Sequence, residues 1–184
     1  MRDVYVGIVG LGNIGSGTLK ILAENADQIA LKLGFRLRVG AVCDLLIDSK
    51  QIPESLGPVF KTNDWRRLIE HPDLDIVVEL VGGTTIAAEV IHAAIAAKKS
   101  IVTANKELMA LRGAEIWERA IEAGTNVAME ASVAGGIPIH AVLREGISGD
   151  RVVALLGILN GTSNYILTEM EQQARNLNTI GGTA

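Results

Sequence analysis

Three glycines at positions 10, 12 and 15 have the spacing of a loop that holds a dinucleotide. They follow a short apolar run, residues 4–9, and precede a segment with helical spacing. In that setting Gly10 permits a tight turn, Gly12 lets a pyrophosphate approach bare backbone, and Gly15 allows close helix–strand packing. The helix N-terminus then offers N–H groups and a partial positive charge to the phosphates. The alternative is a glycine-rich turn that binds nothing.

Asp44 ends the second apolar run, where an acidic side chain can bind a ribose 2′-hydroxyl. It follows Gly15 by 29 positions (44 − 15), later than the usual ~20, and a long first helix accounts for the excess. The alternative is a solvated aspartate at a strand end. Asp44 favours NAD, whereas nearby Lys50 can meet the 2′-phosphate of NADP. The choice between the two cofactors stays open.

Lys106 follows one apolar run and begins a helical segment, which puts it at the carboxyl edge of a parallel sheet. A lysine there can donate a hydrogen bond to a cofactor amide or a developing alkoxide. The alternative is a surface lysine, although its charge opposes the helix dipole at that end. Gly82 and Gly83 leave the backbone bare after the third run, where a nicotinamide ribose can lie. The alternative is that the two glycines only allow a tight turn.

The elements that position these residues alternate between strands and helices. This alternation predicts an α/β fold with a Rossmann-type doubly wound parallel sheet and helices on both faces. Residues 45–62 contain Pro53, Gly57 and Pro58 and predict an irregular connection. The predicted strands cover residues 4–9, 36–43, 75–81, 100–103, 125–129 and 151–159.

The predicted helices have the apolar spacing of one buried face. They cover residues 16–31, 106–123, 137–147 and 162–173, with Gly113 as a possible break in the second of these. A short helix capped by Asn63 or Asp64 and a longer one capped by Thr84 or Thr85, ending near residue 98, lie between the first two. The alternation stops near residues 134–136. We therefore predict a dinucleotide-binding domain over residues 1–131 and the beginning of a second, α+β domain over residues 132–184.

Composition restricts the class of protein. The 184 residues are 48% hydrophobic but only 3% aromatic, so the core must be built from Val, Ile, Leu and Ala. A net charge of −4 and scattered basic residues argue against nucleic acid as a partner. The single Cys43 excludes an internal disulfide and fits a reducing compartment.

With no signal peptide and no bilayer-length apolar run, we expect a cytoplasmic protein that does not contact a membrane. The three histidines lack a metal-site spacing and are interpreted as structural.

Five segments together resemble homoserine dehydrogenase, from about residue 4 to residue 170. They are GLGNIGSG at 10–17, VELVGG at 78–83, VTANK at 102–106, EASVAGGIP at 130–138 and GILNGTSNYILT at 157–168. The resemblance implies NAD(P)-dependent interconversion of L-homoserine and L-aspartate 4-semialdehyde, in threonine, methionine and isoleucine biosynthesis. It also implies a homodimer.

The resemblance also implies roles for individual residues. Lys106 is implied to be the catalytic lysine that contacts both cofactor and substrate, and Gly161 and Thr162 to belong to the substrate loop. The remaining implied ligands are Gly10, Gly12, Asn13, Ile14, Gly15, Asp44, Gly82, Gly83 and Thr103 for the cofactor, and Glu130, Val133, Gly135 and Ile137 for a structural sodium ion. Without the resemblance, residues 130–137 are an interdomain hinge, and Thr162 is a helix cap.

The resemblance is incomplete at the C-terminal end. Family members continue beyond the NYILT segment with a second lysine and acidic substrate ligands, so we expect a truncated chain with impaired turnover. Hydride transfer to an aldehyde needs a proton delivered to oxygen, and Lys106 alone is left for that. A non-catalytic dinucleotide-binding fragment is the alternative. An enzyme acting on another semialdehyde or amine is a third reading, which the NGTSNYIL segment disfavours.

Overall fold

The structure is a computed structural model that describes residues 1–157 and 161–173. It consists of two compact units, Met1–Val133 and Ala134–Ala184. The first unit contains the sheet and the loops discussed below. The second contains only helical elements within its described residues.

The first unit is built on one sheet of six parallel strands in the order β3-β2-β1-β4-β5-β6. The strands are β1 Asp3–Val9, β2 Arg36–Cys43, β3 Phe60–Thr62, β4 Ile76–Glu79, β5 Ser100–Thr103 and β6 Val127–Ala128. The predicted α/β class with a doubly wound parallel sheet is confirmed. Its strands are rich in Val and Ile because helices cover both faces.

The helices of the first unit connect consecutive parallel strands. They are α1 Asn13–Glu24, α2 Ala26–Leu33, α3 Trp65–Ile69, α4 Thr85–Ala96 and α5 Lys106–Ala123. Short 3₁₀ turns lie at Ile47–Ser49, Glu54–Leu56 and Glu130–Ser132. In the part of the chain that the structure describes, no helix combines the length and apolarity needed to cross a bilayer.

Two separate apolar cores hold the sheet between its helices. Alternate strand residues point to opposite faces, so Val77 belongs to one core and the adjacent Val78 to the other. Val77 packs with the inner faces of α3, α4 and α5, which include Leu68 and Ile91. Val78 packs on the side of α1, where Leu19 is buried. This two-sided burial fixes the strand ends, and with them the loops at the carboxyl edge.

The sheet order creates a crevice at that edge. β1 lies between β2 and β4, so the connections that leave β1 and β4 run to opposite faces of the sheet. Ligands of open α/β sheets bind where the strand order reverses in this way. We therefore expect a ligand to contact the loops after β1, β2, β4 and β5.

Several sequence-based boundaries differ from the structure. The first helix was predicted as one segment over 16–31, but it begins at Asn13 and is interrupted at Asn25. Residues 45–62 are not wholly irregular, because β3 pairs with β2 near their end. The last strand of the sheet has two residues rather than the predicted 125–129. The possible break at Gly113 does not occur, since α5 continues through it.

The predicted helix caps have mixed outcomes. Asp64 caps α3, its carboxylate accepting a hydrogen bond from the Arg66 amide at 2.9 Å. Thr84 occupies the cap position before α4, as predicted, although its side chain makes no capping hydrogen bond. Asn105 is a cap that the sequence reasoning missed, and it accepts from the Leu108 amide at 3.0 Å.

The second unit contains α6 Ile139–Ala141, a π-helical turn Val142–Gly146 and α7 Gly161–Gln173. The predicted strand over residues 151–159 is wrong for residues 151–157, which form no regular secondary structure. Its last two positions lie outside the described residues. An apolar, β-branched run such as Val152-Val153 favours a strand, but a strand also needs a neighbour for its backbone groups.

Candidate functional site

The glycine loop after β1 uses each glycine for a different physical reason. Gly10 has φ +96°, and a Cβ there would lie 2.6 Å from the Leu80 carbonyl oxygen. A Cβ on Gly15 would collide with the Gly10 carbonyl oxygen. A Cβ on Gly12 would meet nothing within 4 Å. The first two glycines are thus required by the fold, whereas bare backbone at Gly12 leaves open space beside the loop.

The N-terminus of α1 adjoins this loop and has no acidic or capping side chain in its own first turn. Gly12 precedes its first turn, no side chain caps that turn, and the turn holds no acidic residue. The first N–H groups of a helix have no partner within it and attract phosphate oxygens. Asn13 and Ile14 are exposed at this end, and the side chain of Ile14 is 63% accessible. The arrangement fits a pyrophosphate.

Asp44 lies directly after β2 and is bonded to the glycine loop. Its Oδ2 accepts from the Leu11 amide at 2.7 Å, and its Oδ1 accepts from the Leu46 amide at 2.9 Å. The Lys50 ammonium donates to the Leu11 carbonyl at 2.8 Å and lies 3.5 Å from Asp44 Oδ1. The acidic residue predicted to meet a ribose therefore also holds the turn that would meet the pyrophosphate.

Charge and burial act in opposite directions on Asp44. Burial alone would raise the pKa of its carboxyl group, but the Leu46 and Leu11 amides and the Lys50 ammonium outweigh it. The net pKa is lower than the ordinary value of an aspartate. The folded chain therefore stabilises the ionised carboxylate, which is the form that accepts hydrogen bonds from hydroxyl groups.

We expect Asp44→Asn to lower the free energy of unfolding at pH 7 by about 2 kcal/mol. The substitution weakens the hydrogen bonds that two backbone amides donate to the charged carboxylate. A depressed folded-state pKa gives stability that is fully present above the unfolded pKa, about 3.9. That stability is lost as the pH falls through the folded-state pKa. Urea unfolding of both chains at pH 7 and pH 3 measures this. An unfolding free-energy difference that is equally large at both pH values would contradict it.

A cleft of about 840 Å³ opens beside Asp44. Gly10, Gly12 and Asp44 line one part of it. Large apolar side chains line much of the rest, among them Leu45, Leu46, Trp65, Val81 and Ile86, together with the polar residues Asn63, Asp64 and Arg66. Leu45 and Leu46 are 86% and 67% exposed. An apolar wall beside a polar ribose position suits an adenine ring.

Cys43 also borders the cleft, and its thiol is buried. The residue is buried, and burial together with the nearby Asp64 and Asp44 carboxylates raises the pKa of the thiol to about 11. The thiolate is the nucleophilic form of cysteine, and almost none is present near neutral pH. The sequence-based interpretation of Cys43 as a packed apolar residue agrees with these values.

The loops after β4 and β5 adjoin each other across the sheet edge. Gly82 and Gly83 have φ +79° and +67°, a left-handed pair that glycine adopts readily. Thr103 ends β5 and is fully buried, so its hydroxyl faces the protein interior. Asn105 Nδ2 donates to the Gly83 carbonyl at 2.6 Å and links the two loops. Sequence reasoning missed this link because the two residues are 22 positions apart.

Lys106 is the first residue of α5 and is exposed. It follows the Asn105 cap at the carboxyl edge of the sheet, as its sequence position predicted. Its ammonium group thus stands at the positive end of a helix dipole, which favours an anionic or electron-rich partner beside it. A hydrogen-bond donor in this place can stabilise negative charge that develops on a bound oxygen.

The other predicted site residues fall into separate parts of the chain. Gly161 begins α7 and Thr162 is its second residue, so Thr162 does not precede the helix as a cap would. Of the predicted sodium ligands, Glu130 and Val133 belong to the first unit. Gly135 and Ile137 belong to the second. Within the described residues no cluster of three acidic, histidine or cysteine side chains has a metal-binding geometry.

The sheet order and the open glycine loop together define the class of protein, a Rossmann-type dinucleotide-binding protein. Two family models match the chain. The NAD-binding domain of homoserine dehydrogenase matches residues 10–130, and the model described as homoserine dehydrogenase matches residues 138–182. The chain belongs to the homoserine dehydrogenase family.

Individual relatives agree with the family models. A homoserine dehydrogenase of Neisseria gonorrhoeae is 45% identical over 174 residues, which are 94% of this chain and 39% of that protein. One of Pseudomonas aeruginosa is 43% identical over 95% of this chain and 40% of its own length. The crystal structure of a homoserine dehydrogenase from Thiobacillus denitrificans is 42% identical, with a TM-score of 0.81 over 97% of this chain and 41% of that one. This chain thus spans about two fifths of the length of these relatives.

Proposed function

We propose that residues 1–131 form the NAD(P)-binding domain of an enzyme that interconverts L-homoserine and L-aspartate 4-semialdehyde. Residues 132–184 belong to its substrate-binding and dimerisation domain. The observation that carries the proposal is the open space at Gly12 beside the N-terminus of α1 and the Asp44 carboxylate. In this proposal the enzyme acts in the cytoplasm, as a homodimer, in the biosynthesis of threonine, methionine and isoleucine.

The adenosine half of the cofactor lies in the cleft between the ends of β1 and β2 in this proposal. Asp44 accepts from a ribose hydroxyl, and the apolar side chains of Leu46 and Ile86 contact the adenine. Lys50 already neutralises Asp44 at 3.5 Å, which reduces the repulsion that a 2′-phosphate would meet. We therefore propose that the site accepts NAD or NADP.

Lys106 is the proposed catalytic residue. The bound nicotinamide supplies the acceptor or donor of hydride. The Lys106 ammonium donates a hydrogen bond to the substrate oxygen and stabilises the charge that develops there. Gly161 and Thr162 are proposed to contact the substrate. A structural sodium ion at Glu130, Val133, Gly135 and Ile137 stays a prediction from the resemblance.

Calorimetric titration of the chain with NAD⁺ and with NADP⁺, each with and without L-homoserine, tests the proposal. We expect one dinucleotide per chain and tighter dinucleotide binding when homoserine is present, because cofactor and substrate share the Lys106 region. Binding of the dinucleotide without any effect of homoserine favours the non-catalytic dinucleotide-binding alternative. Absence of dinucleotide binding would exclude both.

A further inference from the structure

Glu79 is a charged residue at the end of an apolar strand, and the proposed binding and catalytic roles above do not use it. It is the last residue of β4, and its side chain is completely inaccessible to solvent. Burying a carboxylate is costly unless donors surround it. A residue of this kind at the carboxyl edge of the sheet therefore requires a specific set of partners.

Glu79 has three partners, and all of them are donors. Its Oε1 accepts from the amides of Val81 at 2.8 Å and Gly82 at 3.4 Å. Its Oε2 accepts from the Thr103 hydroxyl at 2.7 Å. Three donors and no acceptor match the hydrogen-bonding capacity of an ionised carboxylate, which only accepts.

These bonds continue into a closed chain between two loops. The Thr103 hydroxyl accepts from the Asn105 amide at 3.1 Å, and the Asn105 side chain donates to the Gly83 carbonyl at 2.6 Å. Glu79 completes the circuit by holding the Gly82 amide. The turn after β4 and the start of α5 are therefore one hydrogen-bonded unit, and Lys106 follows it directly.

The position of this unit in the sheet assigns it to one half of a dinucleotide. Asp44 and the glycine loop lie at the ends of β2 and β1, on the adenosine side, and the cleft beside them is also lined by Val81 and Ile86 from the segment after β4. β4 and β5 lie on the other side of β1. A dinucleotide spans the crevice between the two halves of such a sheet, so its nicotinamide end reaches the β4 and β5 loops.

We propose that Glu79 is a positioning residue that sets the backbone of the Gly82-Gly83 turn and the start of α5 for the nicotinamide half of the cofactor. The inference rests on the proposed function, because it takes the ligand to be NAD(P). Glu79 touches neither ligand nor reacting atoms in this role. It acts through Thr103, Asn105 and the two glycines.

The proposal separates the two halves of the ligand. Loss of the Glu79 bonds loosens the nicotinamide side and leaves the glycine loop and Asp44 in place. Binding of NAD⁺ then weakens, whereas binding of ADP-ribose, which lacks the nicotinamide, does not change. A general loss of structure weakens both ligands together.

The experiment compares the wild type with Glu79→Gln by calorimetry, using NAD⁺ and ADP-ribose, or their 2′-phosphorylated forms if NADP⁺ binds more tightly. We expect NAD⁺ affinity to fall about tenfold, the effect of one lost bond to a charged group, and ADP-ribose affinity to stay within about twofold. Thr103→Val breaks the same circuit and serves if Glu79→Gln does not fold.

The outcomes distinguish this inference from the proposed function. A wild-type chain that binds neither ligand overturns the proposed function. If the wild-type chain binds both ligands and the variant loses the same affinity for each, the proposed function is retained and the role of Glu79 is overturned. A wild-type chain that binds NAD⁺ no more tightly than ADP-ribose also overturns it, since the nicotinamide half then gains nothing from these loops.

Discussion

A chain carrying Gly12→Val should fold and should lose NAD(P) binding by at least about 100-fold, the loss of two charge-assisted bonds to the pyrophosphate. The valine side chain has room in the folded chain, because a Cβ at this position meets nothing within 4 Å. That room is the space that the pyrophosphate needs beside the first turn of α1. The free energy of unfolding should fall by only about 1 kcal/mol, since valine is a poorer residue than glycine before a helix.

Calorimetry with NAD⁺ and NADP⁺, together with urea unfolding, measures both effects of Gly12→Val. Gly17→Ala is the matched control, because its Cβ also meets nothing within 4 Å but the residue lies inside α1. It should bind the dinucleotide as the wild type does and be slightly more stable. Unchanged affinity in Gly12→Val would show that the dinucleotide does not use this loop.

The second large effect is on folding. Gly15→Ala should lower the free energy of unfolding by about 3 kcal/mol, the upper range for forcing atoms into a packed site. The new Cβ would collide with the Gly10 carbonyl oxygen, which is main chain and cannot rotate away. Gly10 itself is held in place because its backbone amide donates a hydrogen bond to the Cys43 carbonyl at 2.8 Å. The loop and α1 must therefore separate.

Urea unfolding of Gly15→Ala beside Gly113→Ala measures this second effect. Both substitutions add one methyl group to a glycine inside a helix. A Cβ on Gly113 would lie at an ordinary 3.4 Å from the flexible end of Met109. Gly113→Ala should therefore stabilise the chain by about 0.5–1 kcal/mol, through helix propensity. Equal effects of the two substitutions would mean that Gly15 is not required for packing.

The sequence predicted the elements that have long apolar periodicity and missed those decided by a distant partner. β1, β2 and α5 follow directly from their patterns of buried residues. β3 is an edge strand of three residues, and only its pairing with β2 distinguishes it from a loop. The break at Asn25 has no proline or glycine to signal it. Residues 151–157 have strand-forming composition, but composition does not supply a neighbouring strand.

The sequence likewise predicted part of the candidate site and missed the part that depends on distant partners. Spacing alone placed Gly12, Asp44 and Lys106 at the carboxyl edge of the sheet. The network around Glu79 was not predictable, because its partner Thr103 is 24 residues away and belongs to another strand. The one signal was a carboxylate at the end of an otherwise apolar strand. Such a residue indicates that donors converge there, although the sequence does not say which.

The protonated Cys43 thiol has a consequence for inhibitor chemistry. It borders the cleft proposed for adenosine, so it is the cysteine that an adenosine analogue with an electrophilic group would be designed to react with. A thiol with a pKa of about 11 supplies almost no attacking sulfur anion under cellular conditions. Covalent ligands aimed at this cleft will therefore need another anchor, and reversible contacts with its exposed leucines are the better starting point.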